Sequence, residues 1–272
     1  MKARNRPPRL ESRPGPQPPA PPPTLEERLV AARVAGPASV PGRTELRHLV
    51  EAAGGDAGEC WSALAAVTGA TPRAPRIDPA CTVGAVHAAA ARIDAVARTG
   101  GRVAFASARP ASSFGLLAGL ARAARARGAQ VHDAEDAGPM RLEGRTPRWI
   151  RWVEQVACVT DGASLLPASR RDTAVEWCFL VGRSALVVAD GPFAEVAAAE
   201  GLETVAFAGL DRPGLLVAAA REPHVCAVPV HPDRPSRSYR VVGEAFEEAF
   251  GALGGPVAGP AGAGGDPGPG GA

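Results

Sequence analysis

The sequence predicts an α/β protein: a three-layer sandwich with a mainly parallel, doubly wound sheet and an N-terminal helical segment. From residue 102 onward, short apolar runs alternate with Ala-rich segments, which is the pattern of alternating strands and helices. The short runs are apolar throughout, as expected for parallel strands that helices cover on both faces.

The composition of the two ends divides the chain of 272 residues into three parts. Residues 1–23 are Pro-rich and residues 252–272 are rich in Gly, Ala and Pro, so neither segment has the side chains to build a core. We expect both to be disordered tails. Residues 24–251 then form a single domain, with a helical preface at 24–100 and a sheet region at 101–242.

Capping signals predict the helices of the preface. Thr24 and Glu27 form a capping-box pattern that opens a first helix, which ends before Gly36 and Pro37. Two further helices are predicted over residues 44–53 and 60–69. A long helix begins after Asp78, with Pro79 at its first position, and ends at Gly100 and Gly101.

The sheet region is predicted as six strands with helices between most of them. The strands are expected over residues 102–107, 129–133, 155–160, 184–190, 203–209 and 224–230. The helices are expected over residues 114–128, 172–182, 192–201 and 213–222.

Charge and cysteine usage exclude several classes of function. The net charge is only +2, and the many arginines beside the single lysine reflect composition bias, so nucleic-acid binding is not expected. The N-terminus lacks the apolar stretch of a signal peptide, and no uninterrupted apolar run is long enough to span a membrane. Five scattered cysteines, never in CxxC spacing, indicate reduced thiols in a cytoplasmic protein.

Polar residues follow four of the predicted strands, where ligands bind in doubly wound sheets. Hydroxyls and guanidinium groups on these loops suit an anion. The ligand-binding candidates are Arg109, Ser112, Ser113, Asp161, Ser164 and Arg170. Asp190 and Asp211 are the catalytic candidates, because carboxylates on neighbouring loops can act as bases or hold a divalent cation.

Each of these candidates also has a structural interpretation. Ser112 or Ser113 can simply cap the helix that follows, and Asp172 is a more natural cap than a catalyst. Asp161 and Asp190 each precede a glycine, where a turn alone explains them. Arg170 can lie in a solvated loop.

Several sharper motifs are missing from the sequence. The loop SARPASSFG lacks the GxGxxG glycines, there is no GxxxxGK[ST] and no GxSxG, and the histidines are not at metal-ligand spacing. Asp133 ends the second predicted strand, where an acid that binds a nucleotide ribose lies in some folds, but the glycines that would accompany it are absent. His231 and Asp233 after the last strand could contribute to a site.

Residues 24–242 resemble a mostly actinobacterial family described as phosphatases. The stretches that carry the resemblance are RTELRHL, RIDPACTVGAVHAAAARI, VAFASARPASSFGLLAGLARAARARGAQV, VACVTDGASLLPAS and LVVADGPFAEVAAAEGLETVAFAGLDRPGLLVAAA. The resemblance implies an α/β sheet protein with phosphomonoesterase activity.

The chain departs from this family at its histidines. The resemblance implies Gly-His-Pro where this chain has Ala108-Arg109-Pro110, and a His-Thr-His run where it has Pro167-Ala168-Ser169. It also implies Asp-His-Gly-Trp after the fourth strand, where Asp190 is followed by Gly191-Pro192-Phe193. The family's Asn-Asp-Pro corresponds to Asp211-Arg212-Pro213. The acids are retained and the imidazoles are replaced.

Two hypotheses follow from the sequence. The first is a phosphomonoester hydrolase of a small phosphorylated metabolite with a degenerate active site, in which a divalent metal could assist. The second is a pseudoenzyme that binds a phosphorylated ligand through the sheet-edge loops, since Arg109 keeps a fixed positive charge. A nucleotide-dependent enzyme using Asp133 is a third, weaker alternative.

Overall fold

The computed structural model describes residues 22–37, 56–71, 75–133, 137–140 and 147–254. The helix expected over residues 44–53 and most of both expected tails lie outside the described residues. At the C-terminal end, the described residues continue to residue 254, three residues beyond the expected domain boundary.

The described part of the preface forms as its capping signals predict. Helix α1 is Leu25–Ala31, and Thr24 and Glu27 complete the capping box at its start. The Asp78 side chain accepts a hydrogen bond from the N–H of Ala80 and begins the long helix α3. The remaining bounds are β1 Gly36–Pro37, α2 Ala57–Thr68, β2 Arg76–Ile77 and α3 Pro79–Arg98, with β1 and β2 pairing antiparallel.

Within the described residues, a nine-stranded sheet forms the middle layer. Seven of its strands lie in the order β11-β10-β9-β3-β7-β6-β5, while β4 pairs with β3 and β8 pairs with β7. Its strands are β3 Arg102–Ser107, β4 Gln130–Val131, β5 Ala137–Met140, β6 Arg148–Val153, β7 Val156–Thr160, β8 Leu165–Leu166, β9 Leu186–Asp190, β10 Thr204–Ala208 and β11 Val225–Pro229. Strands β11, β10, β9, β3 and β7 are mutually parallel, as the apolar runs predict.

One edge of the sheet is antiparallel, which the sequence analysis did not predict. Strand β6 pairs antiparallel with β7 and β5, and β8 pairs antiparallel with β7. Glu154 and Gln155 make the turn between β6 and β7 with positive φ angles of 45° and 70°. This turn has no glycine, so the usual sequence signal for a hairpin is missing.

Strand β4 is shorter than predicted because β3 changes partners along its length. Residues 102 and 103 of β3 pair with β4, whereas Phe105–Ser107 pair with β7. Only two residues of the predicted strand 129–133 therefore find a partner.

Two layers of helices cover the sheet. Helix α4 is Pro110–Ala126, α5 is Arg171–Val181, α6 is Gly191–Ala199, α7 is Pro213–Arg221, and α8 is Arg240–Ala252 after a short 3₁₀ turn at Ser236–Tyr239. Helices α3, α4 and α8 pack against one another, and α6 packs between α5 and α7. The three-layer α/β sandwich predicted from the sequence is confirmed.

Helix α8 was not predicted, although its sequence has the right periodicity. Its buried residues fall on one face at helical spacing: Val241, Val242, Ala245, Phe246, Ala249 and Phe250. Burial of a large apolar side chain contributes about 1.5–3 kcal/mol, so this face binds the helix firmly to α3 and α4.

A buried ion cluster holds the end of α8. The Asp94 carboxylate accepts hydrogen bonds of 2.6 Å from both Arg98 and Arg127. The same two arginines donate to the backbone carbonyls of Leu253 and Gly254. The Arg127 guanidinium also lies 5.1 Å from the centre of the Phe250 ring.

Within the described residues, α3 is the one helix whose length and composition would allow it to cross a membrane. This is weak evidence, because buried helices of soluble proteins share both properties. Helix α3 packs on β3, β11 and α8.

Candidate functional site

The candidate site lies where the order of the sheet reverses. From β3 the chain first builds β4 and β7 on one side and later β9, β10 and β11 on the other. The carboxyl ends of β3 and β9 therefore meet at a topological switch point, the usual ligand position in such sheets. Ser107 ends β3 and Asp190 ends β9.

Asp190 is the buried acid of this site, with 3% of its surface exposed. Its two carboxylate oxygens accept hydrogen bonds from the N–H of Ala108 and from the hydroxyl of Ser113. Burial raises the pKa of the Asp190 carboxyl, and the bonds from Ser113 and Ala108 oppose that rise. Asp190 thus joins the two strand ends and does not serve only as a turn residue.

Ser113 belongs to a hydroxyl network and does not cap a helix. Helix α4 begins at Pro110, four residues earlier than predicted, and Arg109 occupies the N-cap position without a side-chain cap bond. The Ser107 and Ser113 hydroxyls lie 2.8 Å apart, and the Ser107 hydroxyl accepts the N–H of Arg109 at 3.2 Å. Ser112 borders the same cavity. The interpretation of these serines as helix caps is therefore wrong.

Arg109 links the site to the loops after β10 and β11. Its guanidinium donates a 2.5 Å hydrogen bond to Asp211 and makes an ion-pair contact of 3.2 Å with Asp233. The side chain of Arg109 is 19% exposed, that of Asp211 29% and that of Asp233 73%. Burial alone would lower the pKa of Arg109, but Asp211 and Asp233 raise it, so the cation is permanent.

A cavity of about 10 Å³ lies between these groups. Its lining includes Arg109, Ser113, Asp190 and Tyr239. This volume accommodates about one water molecule, so the cavity is too small to enclose a phosphate group.

Histidine is absent from the described residues that line the cavity. His231 is nearby, but its Nε2 contacts the carbonyl of Gly36 at 3.2 Å. Burial lowers the pKa of His231, which favours the neutral ring. The Tyr239 hydroxyl donates to the His231 carbonyl at 2.6 Å and is also engaged.

Cysteine chemistry is also unavailable here. Cys158 lies opposite Ser107 in the pairing of β7 with β3, and it is buried. Burial and the charge of Asp190 raise the pKa of its thiol to about 12, so it is a thiol and not a nucleophilic thiolate.

The candidates on the loop after β7 are engaged in local contacts. Asp161 accepts hydrogen bonds from the N–H groups of Ala163 and Ser164, the turn role considered for it from the sequence. Arg170 forms an ion pair with Asp172 at 2.6 Å. Asp172 lies inside the first turn of α5 and accepts the N–H of Thr173, so Asp172 is not the N-cap residue.

The two candidate catalytic acids do not share a metal-binding geometry. Asp190 accepts an amide and a hydroxyl, whereas Asp211 faces the Arg109 guanidinium. Within the described ranges, no group of three or more His, Cys, Asp and Glu side chains is placed to hold a metal ion. These side chains do not fit a divalent cation.

The structure adds two residues to the site that the sequence analysis did not select. Ser107 follows from the strand-end rule once the last residue of β3 is included. Tyr239 had no such signal, because it reaches the cavity only when the 3₁₀ turn before α8 folds back onto α4.

Comparison with known protein families gives a match. A family model described as Phosphatase matches residues 68–246, about two thirds of the chain. The matched segment contains α3, the sheet and all the loops of the candidate site. No curated protein matches the sequence.

Proposed function

The chain belongs to the phosphatase family, and from that premise we propose that it binds the phosphate group of a small phosphorylated metabolite without hydrolysing it efficiently. The observation that carries the proposal is the position of Arg109. Its permanent cation lies at the switch point of the sheet and lines a cavity with room for about one water molecule.

The guanidinium of Arg109 supports phosphate binding. A planar guanidinium offers several N–H donors in a fixed arrangement that matches two phosphate oxygens. Arg109 also stands directly before α4, whose N-terminal end favours a negative charge. The reduced thiols of the five cysteines support a cytoplasmic location for the protein, where small phosphorylated metabolites are plentiful.

Three features argue against efficient hydrolysis. Both oxygens of Asp190 already accept hydrogen bonds from the protein. The described residues that line the cavity include no imidazole to move a proton at neutral pH. By resemblance, the positions at Arg109 and Gly191 are ones where family members carry histidine, which fits a degenerate catalytic set.

One observation favours hydrolysis as a second candidate function. Asp190, whose pKa is raised by burial, borders a cavity the size of a water molecule. In that case the water oxygen would bond to phosphorus as the ester P–O bond breaks. Asp190 would take the water proton and return it to the leaving alkoxide.

Ligand binding to the full chain tests the first proposal. We expect inorganic phosphate and simple phosphomonoesters to raise the melting temperature, with about 2.7 kcal/mol of stabilisation at a hundredfold excess over Kd. Arg109→Ala should abolish the shift. Arg92→Ala removes another partly buried, ion-paired arginine and should leave the shift unchanged. An unchanged shift in Arg109→Ala would reject the proposal.

Phosphate release separates the two candidate functions. The full chain is incubated with mixed small phosphomonoesters, with Mg²⁺, Mn²⁺ or Zn²⁺ or without metal, beside Asp190→Asn. We expect no release above that of the variant. Turnover that disappears in Asp190→Asn would establish the hydrolase instead.

A further inference from the structure

The strongest feature that this function leaves unexplained is the second acid on Arg109. Asp211 and Asp233 both contact the guanidinium, from the loops after β10 and β11. Asp211 holds the side chain through a hydrogen bond, and Asp233 brings a second negative charge to the same guanidinium.

The two contacts are unequal in geometry and exposure. Asp211 accepts a hydrogen bond of 2.5 Å and is 29% exposed, whereas Asp233 makes an ion-pair contact at 3.2 Å and is 73% exposed. An exposed, poorly aligned ion pair contributes little to stability. The Asp233 carboxylate can therefore leave the guanidinium at small cost, while Asp211 stays.

The loop that carries Asp233 is fixed at its base. The N–H of Val230 donates to the carbonyl of Ala208 and the N–H of His231 to that of Val34. The Pro232 ring lies against Gly209, where an added Cβ would come within 2.5 Å of the ring. Asp233 itself has φ +57°, a left-handed conformation that Asp and Asn adopt more readily than most other residues. The fold thus holds an acid beside Arg109 on a loop whose base is fixed.

We propose that Asp233 is an internal competitor of the ligand: its carboxylate occupies the edge of the Arg109 guanidinium that an incoming phosphate takes. Asp211 positions Arg109, and the phosphate replaces Asp233 at the mouth of the cavity. The inference rests on the proposed function and specifies how strongly the site selects its ligand, because only an anion that outcompetes a carboxylate binds.

The test measures inorganic phosphate binding to the full chain by isothermal titration. In Asp233→Asn we expect Kd to fall about two- to fivefold, the range that matches one exposed ion pair. Asparagine has nearly the same shape as aspartate and tolerates positive φ well, so the backbone is preserved. The gain should shrink at about 1 M salt, where exposed charges are screened.

A matched control isolates the site effect from a general change in charge. Glu203→Gln also removes an exposed acid that pairs with a half-buried arginine, Arg92. We expect its Kd for phosphate to stay within a factor of about 1.5 of the wild-type value, since it lies outside the site.

The outcomes separate the inference from the function beneath it. Lost binding in Arg109→Ala with tighter binding in Asp233→Asn supports both. Lost binding in Arg109→Ala with unchanged or weaker binding in Asp233→Asn overturns the competitor and leaves the phosphate site. No phosphate binding in any variant, or binding that Arg109→Ala does not change, overturns both.

Discussion

Two clusters of arginine and aspartate lie at opposite ends of the strands. One has two arginines and one aspartate, and the other has one arginine and two aspartates. The closed cluster consists of Asp94, Arg98 and Arg127, at the ends of α3 and α4 that point toward the amino ends of the strands. The open cluster consists of Arg109, Asp211 and Asp233, at the carboxyl ends of the strands.

The difference between the clusters separates structural support from binding. In the closed cluster, one carboxylate accepts hydrogen bonds from two guanidinium groups, which also donate to backbone carbonyls of the C-terminal segment. The side chains of Asp94 and Arg127 are 9% and 8% exposed. In the open cluster one guanidinium faces two carboxylates, and the more exposed of them is loosely held. A buried carboxylate that is saturated by two guanidinium groups stabilises the fold, whereas an exposed carboxylate that is loosely held can exchange with another anion.

The largest effect is expected from breaking the closed cluster. Asp94→Asn should lower the free energy of unfolding by about 3 kcal/mol, because it leaves two arginines without their buried counterion. Asp211→Asn in the open cluster should cost about 1 kcal/mol or less. Urea denaturation of both variants measures the difference, and equal losses would contradict the distinction between the clusters.

The packing beside the open cluster gives the next largest effect. A Cβ on Gly209 would lie 2.5 Å from the Pro232 ring and 2.7 Å from the Val230 carbonyl oxygen. Gly209→Ala should therefore cost about 1–3 kcal/mol in thermal or urea unfolding. Gly119→Ala on α4 is the control, because a Cβ at this position meets nothing within 4 Å. This substitution should stabilise the helix by up to about 1 kcal/mol, since alanine has a higher helix propensity than glycine.

The pH dependence of stability should differ in sign between Asp94 and Asp190. Burial alone would raise the pKa of Asp94, but the bonds from Arg98 and Arg127 lower it. The stabilisation that the ionised Asp94 carboxylate provides is present above its unfolded pKa of about 3.9. It is lost as pH falls through the lower pKa that Asp94 has in the folded protein.

Asp190 should behave in the opposite way, because its folded pKa is raised. The contribution of Asp190 to the free energy of unfolding is complete below the pKa that it has in the unfolded chain. It is lost as pH rises through the higher pKa that it has in the folded protein. Asp190→Asn should therefore gain stability relative to wild type as pH rises. Unfolding curves from about pH 3 to about pH 8 measure both slopes, and parallel curves for wild type and Asp190→Asn would refute the raised pKa.

The smallest effect is expected from the loosely held acid. Asp233→Asn should change the free energy of unfolding by no more than about 0.5 kcal/mol, since its ion pair is exposed. A loss of about 2 kcal/mol or more in the free energy of unfolding, as expected for a buried ion pair, would show that Asp233 supports the fold as Asp94 does.

The parts of the fold that the sequence predicted are those with local signals. Strands β3, β7, β9, β10 and β11 are buried on both faces and are therefore apolar throughout, and α3 carries its own cap at Asp78. Helix α8 was missed despite its periodicity. The β6–β7 hairpin was missed because residues without a glycine make its turn.

The strand-end rule selected more residues than the structure brings into contact with one another. It selected Arg109, Ser113, Asp190 and Asp211, which the structure brings into contact directly or through one neighbour. It also selected Asp161, Ser164 and Arg170, because every loop at that edge satisfies the rule regardless of where its side chains find partners. Tyr239 depends on long-range packing, which no local pattern encodes.

The bonds from Arg98 and Arg127 to the last described residues affect how the chain folds during synthesis. Arg98 contacts a carbonyl 155 positions later, and Thr82 of α3 contacts one 147 positions later. Two of the largest packing partners of α3, β11 and α8, are therefore made only near the end of synthesis, and contacts of such long separation slow folding. We expect the apolar surface that they cover to stay exposed on the ribosome until then, which makes the nascent chain prone to aggregation over that interval.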